Sequence, residues 1–192
     1  MLPRALVRYA VAATLARAAD EMVGLSVVLL VLGRTGSPAL AGATVAGYTL
    51  PAVLTGPLLG AWLAGAGRRA PWALAGNDLV LAVVAGLLVL TVGHVPAVVV
   101  VALTLCAGVT LPLTSAGYSS LLPGMVGRTA LPRANTLDAV SVNGPAIAGP
   151  AVAGTLAATL GPGAAVLGVG VVALCGAVAT LFLRARVVAP AR

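Results

Sequence analysis

The chain has 192 residues, 60% of them hydrophobic and only 8% charged, with a mean hydropathy of +1.12. So few charges cannot clothe a water-soluble globule of this size, so a bilayer is the expected solvent. The net charge of +7 comes from arginines without a single lysine, but aromatics are only 3%, which leaves no stacking platform for bases and argues against a nucleic-acid partner.

A membrane span needs about 20 predominantly apolar residues. The chain divides into six, at 5–32, 38–64, 71–92, 97–121, 135–160 and 164–184, which predicts an all-α polytopic membrane protein whose residues 1–192 form a single six-helix transmembrane bundle. Each break contains Gly or Pro, as a turn between spans should. The opening MLPRALVRYAVAATLARAADEMV begins as a signal peptide does, but its apolar run continues through Leu25 to Leu32. That is too long for a cleaved segment, and the expectation is a retained first span.

The first span carries Arg17, Asp20 and Glu21, the only charged cluster expected deep in the membrane. Arg17 falls roughly 18 Å along a helix starting near residue 5, close to the middle of a ~30 Å core. Charges there must pair or face a wet cavity, and spacings of three and four put either acid within reach of the arginine on one helix face. One acid pairing with Arg17 while the other exchanges a proton or meets a cationic substrate group is the functional expectation. A self-neutralised pair that merely polarises the cavity wall is the structural one.

The second span holds Pro51 and Pro57 and ends in GPLLGAWLAGAGRR, where Arg68 and Arg69 mark a membrane surface after Gly56, Gly60, Gly65 and Gly67. The third keeps Asn77 and Asp78 near one end, the fourth contains Pro112, and the fifth contains Pro145 and Pro150. Interrupted backbone is tolerated where it lines a cavity, so the first, second, fourth and fifth spans are expected around one. The third and sixth are expected at the periphery against lipid.

Gly56, Pro57 and Gly60 in the second span have an echo in Gly149, Pro150 and Gly154 in the fifth. An inverted three-plus-three repeat would produce it.

Arg4, Arg8, Arg68, Arg69, Arg128, Arg133, Arg184, Arg186 and Arg192 fall on the side of both termini, against Arg34 alone on the other. The positive-inside rule then puts both termini in the cytoplasm. Asp78 and Asp138 are expected near cytoplasmic span ends, in reach of Arg68, Arg69, Arg128 or Arg133. They form either a charge network that opens and closes or ordinary interfacial pairs of little energetic weight. Asn135 is expected to cap the fifth helix, Trp62, Trp72, Tyr9, Tyr48 and Tyr118 to form an interfacial belt, and Cys106 and Cys175 to be small packing residues.

His94, in an outer turn without a second histidine, is not expected to hold a metal. No G-x-S-x-G is present, and Gly168 and Gly170 lie in an apolar span, where they read as helix packing and not as a nucleotide loop. No enzyme chemistry, metal or cofactor is expected.

The loop motif resembles that of the major facilitator superfamily, in which G-x-x-x-D-R-x-G-R-R joins the second and third helices. Gly60, Gly67, Arg68 and Arg69 match in register, while Ala64 and Gly65 replace the aspartate and first arginine. LPRANTLDAVSVNGPAIAGPAVAG is similar to the fifth-helix entry of bacterial drug and siderophore exporters of that superfamily, with Asn135, Gly149, Pro150 and Gly154 matching and Ala153 replacing a glycine. Gly36, Ser37, Pro51 and Pro57 also sit where that group shows T-G-S and L-P-x-x-x-x-x-P. The arginine-bearing fourth-helix motif is missing.

The resemblance implies the amino-terminal six-helix half of a transporter in the cell membrane, working by alternating access on a small-molecule substrate, with efflux the expected direction. A truncated or split unit, a parallel homodimer, and a membrane interaction protein that keeps the fold without transport all follow from the presence of one bundle.

Overall fold

The computed structural model describes residues 4–126 and 129–183, and all of the described secondary structure is helical. The helices are α1 (Arg4–Thr35), α2 (Pro38–Ala66), α3 (Ala70–Thr91), α4 (Ala97–Met125), α5 (Leu131–Leu160) and α6 (Pro162–Leu183). A single 3-10 turn, Gly67–Arg69, joins α2 to α3.

The turns follow from local chemistry. After α1, Gly36 takes φ +64, and the Ser37 hydroxyl then accepts from the Leu40 amide while Pro38 occupies the first turn of α2. Among the described residues, Gly67, Gly93 and Gly161 are the others with positive φ, and each lies in a connection. α5 starts at Leu131 with Pro132 in its first turn and no side-chain cap, so the helix begins four residues ahead of the predicted 135. Asn135 is therefore an exposed residue inside the helix and not its cap. Proline at a first turn has no amide to lose, which lets the helix run back through it.

α1 is the hub, packed against α5 and α6 and touching α2 and α4. α2 lies along α4, and α3 lies against α6 and α4. Two of these crossings are set by glycine. A methyl on Gly108 of α4 would stand 2.2 Å from the Tyr48 carbonyl oxygen of α2, and one on Gly149 of α5 would stand 2.7 Å from Glu21 Cβ of α1. Only hydrogen at those positions lets the backbones approach so closely. Gly168 and Gly170 likewise face neighbouring helices, against Leu156 and the Ala82 carbonyl.

The outer face is apolar. On α6, Leu167, Val171, Leu174, Val178 and Phe182 are exposed, at the three- and four-residue spacing of one helix face. The opposite face of α6 is buried through Val166, Val169, Ala173, Gly176 and Thr180, so α6 is peripheral on one side and core on the other. Cys106 and Cys175 are free and exposed, so they do not pack in the interior as expected.

α2, α3, α4 and α6 are long and apolar enough to cross a membrane. α1 and α5 are as long, but they carry the polar residues that meet inside the bundle. Two apolar clusters make the core, one running from Ala19 through Val31, Leu81 through Val92 and Val166 through Ala173, the other joining Leu6 through Ala16 to Leu74, Leu113, Tyr118 and Leu122. Between them lies a polar layer.

Candidate functional site

Arg17 enters this layer from α1 and is 5% exposed. Its Nη1 donates to Asp138 Oδ1 on α5 at 2.8 Å and to the Ser141 hydroxyl, while Nη2 donates to Ser119 Oγ on α4 at 3.0 Å. Asp138 also accepts from the Tyr9 hydroxyl at 2.6 Å and from Ser119 at 2.7 Å. The guanidinium is thus neutralised across the bundle by a residue 121 positions away, not by Asp20 or Glu21 along its own helix. Excellent geometry and filled lone pairs are what a buried ion pair requires. Of the three guanidinium nitrogens, Nε has no partner among the described residues.

Asp20 instead accepts from the Tyr48 hydroxyl of α2 at 2.7 Å. Glu21 is exposed and makes no ion pair or hydrogen bond among the described residues. Tyr9, Tyr48 and Tyr118 are all buried, the first two with their hydroxyls donating to carboxylates and Tyr118 with its hydroxyl 3.4 Å from one, so the expected belt is left to Trp62 and Trp72, each about half exposed. A carboxylate in an apolar interior needs a donor, and tyrosine supplies one on a rigid apolar body.

Among the described residues, neither aspartate of the expected cytoplasmic network pairs with a loop arginine. Asp138 belongs to Arg17, and Asp78 lies roughly 12 Å into α3, 1% exposed, with the Tyr118 hydroxyl at 3.4 Å. Arg69 and Arg133 are exposed, Arg128 lies outside the described residues, and the side chain of Arg68 is likewise undescribed. In the loop motif, Gly60 has open space around it and Gly67 makes the turn at φ +48. In the fifth-helix motif, Gly149 is buried against α1, Gly154 faces Leu25, and Pro150 is half-buried.

Arg17, Asp20 and Glu21 do share one space. They line a cavity of about 460 Å³ together with Gly56 of α2, Pro112 and Ser115 of α4, and Val142 of α5. Four helices contribute: α1, through its charged residues, and α2, α4 and α5, each of which has proline inside the helix. Since Arg17 is matched by Asp138, the cavity's uncompensated side chains are the two acids, set in a mostly apolar wall.

Fold and site together define a polytopic helical membrane protein with a polar layer opening on a cavity between α1, α2, α4 and α5. The chain is similar to a protein of Sinorhizobium fredii described as an uncharacterised transporter of the major facilitator superfamily (MFS) type, at 36% identity over 162 residues. That alignment covers 80% of this chain and 38% of the relative, so the chain spans about two fifths of the relative's length. No family model and no solved structure matches the chain.

Proposed function

We propose that this chain is a six-helix unit of an MFS-type transporter that moves a small molecule across the cell membrane by alternating access, in the direction of efflux, with both termini in the cytoplasm. The observation that carries this is the cavity of about 460 Å³ holding Asp20 and Glu21. Intramembrane acids facing a water-accessible space are functional by default. The similarity to an MFS-type transporter supports the same conclusion.

In this mechanism Arg17 and Asp138 brace α1 against α5, Tyr48 orients Asp20, and Glu21 is free to exchange a proton or meet a cationic group. Apolar surroundings favour a lipophilic organic substrate. The helix pairs support an inverted repeat. Exchanging α1 with α4, α2 with α5 and α3 with α6 maps the α1/α5 contact onto α4/α2 and the α1/α6 contact onto α4/α3. A full transport path would be completed by a second six-helix half, or by a parallel second copy.

Ethidium movement in proteoliposomes under an imposed pH gradient tests the reading. Wild-type protein should drive ethidium against vesicles lacking protein, and Glu21→Gln should abolish the pH-driven part. Wild-type vesicles indistinguishable from empty ones, with the chain folded and the mass in nanodiscs that of a lone copy, would favour a non-transporting interaction protein.

A further inference from the structure

Three tyrosine hydroxyls meet three aspartates in the polar layer, and distance separates one pair from the other two. Tyr9 stands 2.6 Å from Asp138 and Tyr48 stands 2.7 Å from Asp20, the range of a hydroxyl donating to an ionised carboxylate. Tyr118 stands 3.4 Å from Asp78 but 2.6 Å from Thr180 Oγ1. Thr180 in turn donates its hydrogen to the Gly176 carbonyl at 2.8 Å. Tyr118 must therefore spend its one hydrogen on Thr180, and it shows Asp78 an oxygen lone pair.

An ionised carboxylate has nothing to give that lone pair, and Asp78 is 1% exposed with no arginine in reach among the described residues. A buried unpaired charge of that kind is strongly disfavoured. A carboxylic acid resolves it. Its hydrogen then goes to Tyr118, the Tyr118 hydrogen to Thr180, and the Thr180 hydrogen to Gly176, all in one direction.

We propose that Asp78 is a protonation site separate from the cavity, held as the neutral carboxylic acid where α3, α4 and α6 meet. The groups around it supply no compensating cation. α1 contributes Asp20 and α2 contributes Tyr48, both close enough to interact with it electrostatically. α4 contributes Tyr118, and α6 only Thr180 and Gly176. On α3 itself Asn77 donates to Thr114 at 2.6 Å, and Arg17 is committed to Asp138 and Ser119. Loss of the proton would draw the Tyr118 hydrogen from Thr180 to Asp78, exchanging an α4–α6 bond for an α3–α4 bond.

The chain's four Asp and Glu side chains make this readable by infrared spectroscopy. Protein in lipid nanodiscs, with 13C-labelled aspartate, should show at neutral pH a protonated-carboxyl band that moves with the label, disappears in Asp78→Asn and persists in Asp20→Asn. Absence of such a band from the wild type, or its survival in Asp78→Asn, overturns the assignment. Should Asp78→Asn fail to fold, Asp20→Asn and Asp138→Asn decide by subtraction. A band that persists in both belongs to Asp78, and a band lost with either overturns the assignment. The readout does not depend on transport, so it stands or falls apart from the cavity reading.

Discussion

Replacing Asp138 by alanine leaves the Arg17 guanidinium inside the bundle without its counter-ion. Removing one partner of a buried pair costs about 3–5 kcal/mol. The Asp138 side chain is 16% exposed against 6% for Arg17, so some water reaches the site and the lower end applies, about 3 kcal/mol. That is roughly a hundredfold loss in the folded-to-unfolded ratio. Tyr9 and Ser119 lose their acceptor in the same substitution. The assay is equilibrium unfolding in mixed micelles of rising sodium dodecyl sulfate, followed by far-ultraviolet circular dichroism. The double variant Arg17→Met/Asp138→Leu should recover to within about 1 kcal/mol of the wild type, because no charge is then left buried. A loss below about 1 kcal/mol for Asp138→Ala, or a double variant as unstable as the sum of the two single ones, would refute the reasoning.

Other outcomes follow from packing and turns. Gly108→Ala should destabilise by about 1–3 kcal/mol, since its methyl meets the Tyr48 carbonyl, whereas Gly60→Ala in open space should be neutral or stabilising by up to about 1 kcal/mol in the same titration. Gly67→Ala at φ +48 should cost about 1–3 kcal/mol, visible as a lower unfolding midpoint. Tyr48→Phe removes only the donor to Asp20, so about 1–2 kcal/mol of stability should go and the pH profile of ethidium movement should shift while Tyr9→Phe leaves that profile in place.

Six apolar runs separated by glycine and proline made the helix count legible, with most ends within a few residues. The four cavity helices were legible too, from the charges of the first run and the prolines of the second, fourth and fifth, whereas Asp78 lies inside the third run and is buried away from the cavity. Pairing was not. Spacing along α1 offered Arg17 two acids within one turn, and the rule for neighbours on a helix surface assumes water around the pair. Inside the bundle, Asp138 competes better because Ser119, Ser141 and Tyr9 complete its shell from three helices. The Asp138 to Ser141 spacing of one helical turn was the available signal for a polar patch facing inward. Counting tyrosines as interfacial failed for the same reason, since Tyr9, Tyr48 and Tyr118 each lie opposite an aspartate that no sequence neighbour identifies. Gly149 was singled out as part of a motif, and its position against the α1 backbone gives that motif a steric cause.

The turns opposite the termini are very short. Gly36 and Ser37 alone link α1 to α2, Gly161 alone links α5 to α6, and the five residues between α3 and α4 are drawn in beneath Arg34, whose guanidinium donates to the Val89 and Val92 carbonyls. A methyl added to Gly33 would stand 3.7 Å from the Pro162 ring and one on Gly163 3.8 Å from the Arg34 guanidinium, so the three connections lie close together around Arg34. That end of the molecule has no loop long enough to fold over a visitor or to be reshaped by insertion without breaking a helix. If the proposed transport holds, what this bundle itself contributes to selectivity on that side comes from its walls, so changes in preference arising within this chain should map to cavity residues of α1, α2, α4 and α5 and leave the turns untouched.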